Sequence, residues 1–181
     1  MGKSSLKLNA KEISFVGLMT AALCILGGFS VPIGPVPVSL TNFVIYVFAI
    51  VIGRKLSTLS TILYVLIGFV GLPVFSGFSG GAAKLFGPTG GYIIGFILVA
   101  YITGFASDNF IKNKIFMFLL MLLGTILLYI LGTLWLSFQA DMSFIKALYV
   151  GVIPFVFADL IKILVGMVIG TSIKKQLKIN F

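Results

Sequence analysis

Two charges stand where almost nothing else in this chain is charged. The segment Ile153–Gly166 reads IPFVFADLIKILVG and carries Asp159 and Lys162 deep within apolar sequence. An ionised side chain at the centre of a bilayer costs roughly 3 kcal/mol on insertion scales, so such residues face a bundle interior or a partner and mark a functional site by default. The i, i+3 spacing puts both on one helix face. There they either neutralise each other as a structural pair or grip one polar ligand together. A second polar group, Ser39, Thr41 and Asn42, follows the turn VPIGPVPVSLTNF and either caps a helix or lines a pocket. A third feature is the stretch GLPVFSGFSGGAAKLFGPTGGY over Gly71–Tyr92, which holds seven of the 21 glycines. Leu72, Val74, Phe75, Phe78, Leu85 and Phe86 are mixed into it, so it packs down on something. It is expected to be a lid over a bundle mouth, with free backbone N–H groups to offer an anion, or else a tight structural turn; long ordered loops are usually functional.

These residues need elements to hold them, and the composition says which. Sixty per cent of the 181 residues are apolar and 9% are charged. A soluble domain is about 45–50% apolar and about 25% charged. The excess must face lipid, so residues 1–181 are expected to form a single transmembrane domain. Runs long enough for a crossing of about 20 residues give six spans. They are Ile13–Pro32, Val38–Gly53, Leu56–Leu72, Tyr92–Ser107, Ile115–Trp135 and Ala147–Ile173; spans two to four are short and are expected to borrow residues from their loops. Met1–Lys11 is basic and leads into a run too long for a secretory h-region, without a clear cleavage site, so it is read as the approach to a retained first span.

The charges test this count. With the N-terminus in the cytoplasm, Lys3, Lys7, Lys11, Arg54, Lys55, Lys112, Lys114, Lys174, Lys175 and Lys178 all fall inside, and only Lys84 and Lys146 fall in outer loops. That asymmetry follows the positive-inside rule. It predicts an all-α protein of six transmembrane helices with both termini cytoplasmic and the Gly-rich loop outside, between spans three and four. Span six then descends from the outer side, and Asp159 and Lys162 lie near mid-membrane beneath the loop. The same placement accounts for the net charge of +9 through lipid head groups, and nucleic acid is excluded as a partner.

Other chemistry is excluded by what is missing. There is no histidine, and Cys24 is a single cysteine, so neither a disulfide nor a cysteine metal site is available. No phosphate-binding G-x-x-x-x-G-K-[ST] occurs, and no nucleophile, base and oxyanion-hole constellation is visible. No cofactor is expected. Gly17 and Ala21, with Ala22 beside them, are small residues at the spacing that lets membrane helices approach closely; the contact is with another span of this chain or with a partner. Trp135 reads as an interface or packing residue, Tyr92 and Phe138 as side chains able to stack on a ligand, and Gln139 and Asp141 as solvated.

The Gly71–Tyr92 pattern, PVPVSL at Pro35–Leu40 and the D-x-x-K at Asp159–Lys162 resemble the BioY family, the biotin-binding S components of energy-coupling factor (ECF) transporters. The resemblance covers nearly the whole chain. It implies a six-helix substrate-capture subunit of a prokaryotic cell membrane, working with a T component and two cytoplasmic ATPases, and not an enzyme. It implies that small residues of the first span meet the T component; here Gly17 and Ala21, or Ala22, replace the family's A-x-x-x-A. Thr41 stands where relatives often carry Gln. The ligand so implied has a ureido ring, a thioether ring and a carboxylate tail. Asp159 then accepts a ureido N–H and Lys162 donates to the ureido carbonyl. The carboxylate meets backbone N–H groups of the Gly80-Gly81 or Gly90-Gly91 turns, or Lys84, with Tyr92, Ser39 and Asn42 around the ligand. The reversed pose, with Lys162 on the carboxylate, remains open. So do an S component for another vitamin, a stand-alone porter and, from a different class, a membrane enzyme using Asp159 as acid or base.

Overall fold

A computed structural model describes residues 8–33 and 35–177. Lys3, Lys7 and Lys178, three of the charges used to orient the chain, and both termini lie outside the described residues. Helix α1 (Ala10–Leu26) starts at a capping box: the Asn9 side chain accepts from Glu12 N, and the Glu12 side chain accepts from Asn9 N, both at 2.8 Å. Such reciprocal bonds satisfy two donors that a helix start leaves open. The expected first span runs to Pro32, but the helix stops at Leu26. Beyond it, β1 (Ser30–Val31) pairs antiparallel with β2 (Val38–Ser39), with Ser30 opposite Ser39. The prolines between them cannot continue a helix, and a two-stranded ribbon takes its place in the otherwise helical chain.

Helix α2 (Thr41–Phe69) covers both the second and third predicted spans, and it is broken at Gly53, whose φ of 76° and ψ of 179° are non-helical. Thr41 and Tyr64, on opposite sides of that break in the chain, face one cavity. A straight helix would hold them about 35 Å apart at about 1.5 Å per residue. The chain therefore reverses at Gly53, where a residue without Cβ tolerates positive φ. The backbone N–H of Arg54 then donates to Asp108 Oδ2 at 3.0 Å, so a carboxylate satisfies the new helix start.

After the loop and the one-turn helix α3 (Ala82–Leu85), α4 (Gly90–Phe110) and α5 (Lys114–Gln139) form an antiparallel pair. Both run beyond their predicted ends, as expected of the short fourth span, which α4 covers. The last predicted span is not continuous: α6 (Phe144–Gly151) and α7 (Ile153–Leu177) are separated at Val152, with φ −129° and ψ −56°. Pro154 lacks the N–H that would bond to Val150, and its ring crowds that carbonyl.

Polar side chains stitch the helices together. Thr20 Oγ1 donates to Val16 O and also approaches Ser60 O at 3.3 Å, joining α1 to α2, and Ser57 Oγ meets Ala100 O at 3.2 Å, joining α2 to α4. The buried core runs from Met19 and Leu23 of α1 through Tyr46, Ile50 and Leu56 of α2 to Met117 and Met121 of α5. Large apolar side chains also cover the outside, among them Ile115, Leu134, Phe157 and Val168. Four of the helices, α2, α4, α5 and α7, are long and apolar enough to cross a membrane.

Candidate functional site

Contacts between helices sort the bundle into two ends. Gly53, Ser107, Asp108 and Lys174 gather at one. The ribbon, the Gly-rich loop, the starts of α2 and α4 and the α6–α7 break gather at the other. A cavity opens at this second end, with about 580 Å³ of free space when its open mouth is included. Val36, Pro37 and Ser39 of the ribbon region, Phe75, Ser76 and Thr89 of the loop, and Tyr92, Ile93 and Phe96 of α4 form much of its wall. Thr41, Asn42, Tyr64, Leu128, Tyr129, Gly151 and Phe155 supply most of the rest, and Asp159 and Lys162 make its charged floor.

The floor is a network that ties α7 to α2 and α5. Asp159 is 5% exposed. Its Oδ1 accepts from Lys162 Nζ at 3.0 Å and from Asn42 Nδ2 at 2.8 Å, and its Oδ2 accepts from the Tyr129 hydroxyl at 2.7 Å. Lys162 Nζ also donates to Ser39 O at 2.8 Å and to Asn42 Oδ1 at 3.1 Å. Asn42 stands in the first turn of α2, where its Oδ1 also accepts from Phe43 N at 3.1 Å. Charge-assisted bonds of this kind are the strong ones, and they offset the desolvation of the pair. Above the floor, the Tyr92 hydroxyl donates to Gly151 O at 2.9 Å, a carbonyl at the end of α6.

The structure thus brings together five of the predicted residues: Asp159, Lys162, Asn42, Ser39 and Tyr92. Thr41 joins them and accepts from Ser39 Oγ at 3.1 Å. Gly80, Gly81, Lys84, Gly90 and Gly91 are not in the cavity wall. Gly81 opens α3 and donates its N–H to Gly68 O at 2.7 Å. Gly80 packs on the Leu72 carbonyl, and Gly90 and Gly91 let α4 start directly beneath Trp135. Lys84 sits half-buried on α3, where desolvation holds its pKa below the ordinary lysine value.

Phe138 is 85% exposed and takes no part in the wall. Trp135 packs against Gly91, as its expected packing role allows, and also donates its indole N–H to Gly87 O at 2.9 Å. Gln139 is exposed as expected, and its side chain donates to Phe86 O, so both residues fasten the loop. The first half of the loop is fastened elsewhere. Fully buried Phe75 stands edge-on to Tyr64 at 5.4 Å, and Phe78 stands edge-on to Phe29 at 5.2 Å.

Gly17 and Ala21 lie on the exposed face of α1, and among the described residues outside α1's own neighbouring backbone none comes within 4 Å of a Cβ placed on Gly17. Ala22 is partly buried against the core.

Sequence reasoning missed Tyr129. A signal was present: a phenol in mid-span needs a hydrogen-bond partner in apolar surroundings, and Asp159 was the acid predicted at that depth. Chemically, the arrangement suits binding. Asp159 is paired with an adjacent ammonium and accepts three hydrogen bonds, which fixes it as an acceptor in a binding surface.

The chain is similar to known proteins over almost its whole length. The BioY family model matches residues 1–179. A probable biotin transporter BioY of Pyrococcus horikoshii is 38% identical over 92% of this chain and 98% of its own length. A biotin transporter BioY of Thermotoga maritima is 40% identical over 91% and 96%. Among solved structures, the S component for biotin from an ECF-type ABC transporter superposes with a TM-score of 0.85 at 31% identity, over 93% of this chain and 95% of that one. A cavity floored by an Asp-x-x-Lys pair, on a bundle of apolar helices whose sequence aligns almost end to end with these proteins and with the family model, places the chain in the BioY family.

Proposed function

We propose that this protein is the biotin-capturing S component of an ECF-type vitamin transporter. The observation that carries the reading is the cavity floor. Asp159, an acceptor, lies 3.0 Å from Lys162, a donor, at the base of a largely apolar pocket. A cyclic urea presents an N–H beside a carbonyl on one edge, which is the complement of that pair. The thioether ring and aliphatic tail suit Phe75, Phe96, Leu128 and Phe155. Lys162 has all three N–H groups engaged, so a ligand carbonyl must replace one protein acceptor, of which the Ser39 carbonyl is at the cavity wall.

The carboxylate then points to the mouth. Lys84 and the loop glycines lie outside the wall, so support for their contact with it is confined to their place in the roofing loop. The reading of a membrane enzyme loses ground to the neutralised acid, and the relatives named above are transporters.

The same reading includes six crossings of a prokaryotic plasma membrane with both termini inside. The reversal at Gly53 supports it by dividing α2 into two antiparallel arms, and Arg54, Lys55, Lys112, Lys114, Lys174 and Lys175 support it by lying toward the end opposite the cavity. Partners are a T component and two ATPases, with the exposed Gly17–Ala21 face of α1 as the T contact. A stand-alone porter is the competing reading, and co-purification with an ATPase module separates the two. Calorimetry on the detergent-solubilised protein tests the ligand: saturable biotin binding is expected, and a folded sample that binds none overturns the assignment.

A further inference from the structure

The cavity floor has its donors engaged and one acceptor site open, and the bond from Tyr129 decides where that site lies. The ammonium of Lys162 is directed at Ser39 O, Asn42 Oδ1 and Asp159 Oδ1. Asp159 Oδ1 receives two donors, Asn42 and Lys162, while Oδ2 receives one, the Tyr129 hydroxyl at 2.7 Å. A carboxylate offers about four lone-pair sites, so a single site remains, on Oδ2 beside the phenol. The hydroxyl hydrogen points at Asp159, which leaves the Tyr129 oxygen showing only lone pairs to the cavity that its side chain lines. Lys162 already supplies the counter-charge and Asn42 already fixes Oδ1, so neutralising the acid does not require the phenol.

We propose that Tyr129 is a positioning and specificity residue: it holds Asp159 Oδ2 toward the cavity and forms with it an acceptor edge that takes a ligand N–H and rejects the same ligand alkylated at that nitrogen. The proposal rests on the biotin reading, in which the N–H belongs to the ureido ring. A site built around a polar group rejects an analogue lacking it far more strongly than an apolar pocket rejects a methyl group.

The test is calorimetry of wild type and Tyr129→Phe against biotin and the two biotins methylated on one or the other ureido nitrogen. Wild type is expected to prefer biotin over at least one methylated isomer by about 100-fold or more. Tyr129→Phe is expected to lose about tenfold in affinity for biotin while changing less than about twofold for the disfavoured isomer, a loss of discrimination worth about 1.4 kcal/mol. A variant that weakens all three ligands by one factor, or that binds biotin as wild type does, overturns the role of Tyr129 and leaves the biotin reading standing. A folded wild type that binds no biotin overturns both. Tyr129→Gln returns an N–H donor to Asp159 and carries the same comparison should the phenylalanine variant not fold. Discrimination retained with that amide supports the proposal, and a uniform loss across the three ligands overturns it.

Discussion

The two ends of the bundle each hold an aspartate and a lysine, and they use them differently. At the cavity end, Asp159 is buried and is held by three side chains from three helices, with open space in front of it. At the other end, Asp108 is exposed and accepts from the backbone N–H of Arg54, while Lys174 donates to Ser107 Oγ at 3.0 Å, which in turn donates to Ile50 O at 2.7 Å. Neither Asp108 nor Lys174 is among the residues lining that pocket. The residues at the Gly53 end close a chain reversal and satisfy helix ends; those at the cavity end form a surface that another molecule can complete. Charge within an apolar chain therefore marks a ligand site only where its partners are side chains and a concavity lies beside them.

The sharpest way to break this contrast is to neutralise one acid at each end. Asp159→Asn leaves the Lys162 ammonium buried beside an amide, and removing one partner of a buried pair costs about 3–5 kcal/mol. Biotin affinity is expected to fall at least 100-fold by calorimetry. Asp108→Asn keeps an oxygen for Arg54 N and is expected to change affinity less than about threefold. Equal losses from both would dissolve the distinction between the two ends.

Lys162 separates structure from recognition within the outer site. Lys162→Ala strands Asp159 and is expected to lower the melting temperature markedly. Adding Asp159→Asn to it removes the stranded charge, so the double variant regains much of that temperature without regaining biotin binding. Comparing biotin with biotin amide in Lys162→Ala decides the pose: the two should weaken alike, and loss of only the preference for the free acid would place Lys162 on the carboxylate.

At Gly53 the expected effect is on folding alone. Gly53→Ala puts a side chain at φ 76° and against the Asp108 carboxylate, costing at least about 1 kcal/mol from backbone conformation. The melting temperature should drop while biotin affinity of the folded fraction stays within about twofold. A large affinity loss would mean that the inner reversal reaches the outer site.

Which parts were legible in the sequence follows from what each feature depends on. Hydropathy and charge are local sums, so the helices and the pairing of Asp159 with Lys162 could be read directly. The Gly53-Arg54-Lys55 boundary was also readable, although the reversal needed a single residue rather than a loop. The break at Val152 had a local cause in Pro154 but was hidden inside a continuous apolar run. Tyr129 was legible only as a mid-span phenol in need of a partner, and the Trp135 fastening not at all, because each pairing depends on which residue another element presents at the same depth. Backbone freedom at Gly80, Gly81, Gly90 and Gly91 suggested free N–H groups for an anion; in the structure Gly81 gives its N–H to Gly68, the Leu85 carbonyl leaves no room for a Cβ at Gly90, and Trp135 leaves none at Gly91.

The smallest expected effect concerns how the roof is held. One half of the loop rests on buried Phe75, in the cavity wall, and the other half hangs from Trp135 and Gln139 by bonds to the Phe86 and Gly87 carbonyls. Trp135→Phe keeps the ring and deletes the indole donor, a change of about 1 kcal/mol. Because the bond lies outside the cavity wall, it bears on opening rather than on ligand contact. The dissociation rate of biotin in stopped-flow displacement is expected to rise about three- to fivefold. The association rate should rise with it, so that the equilibrium affinity moves by less than about threefold. An unchanged dissociation rate would make the second half of the loop a fixed roof and leave the Phe75 half, or the ribbon, as the part that opens.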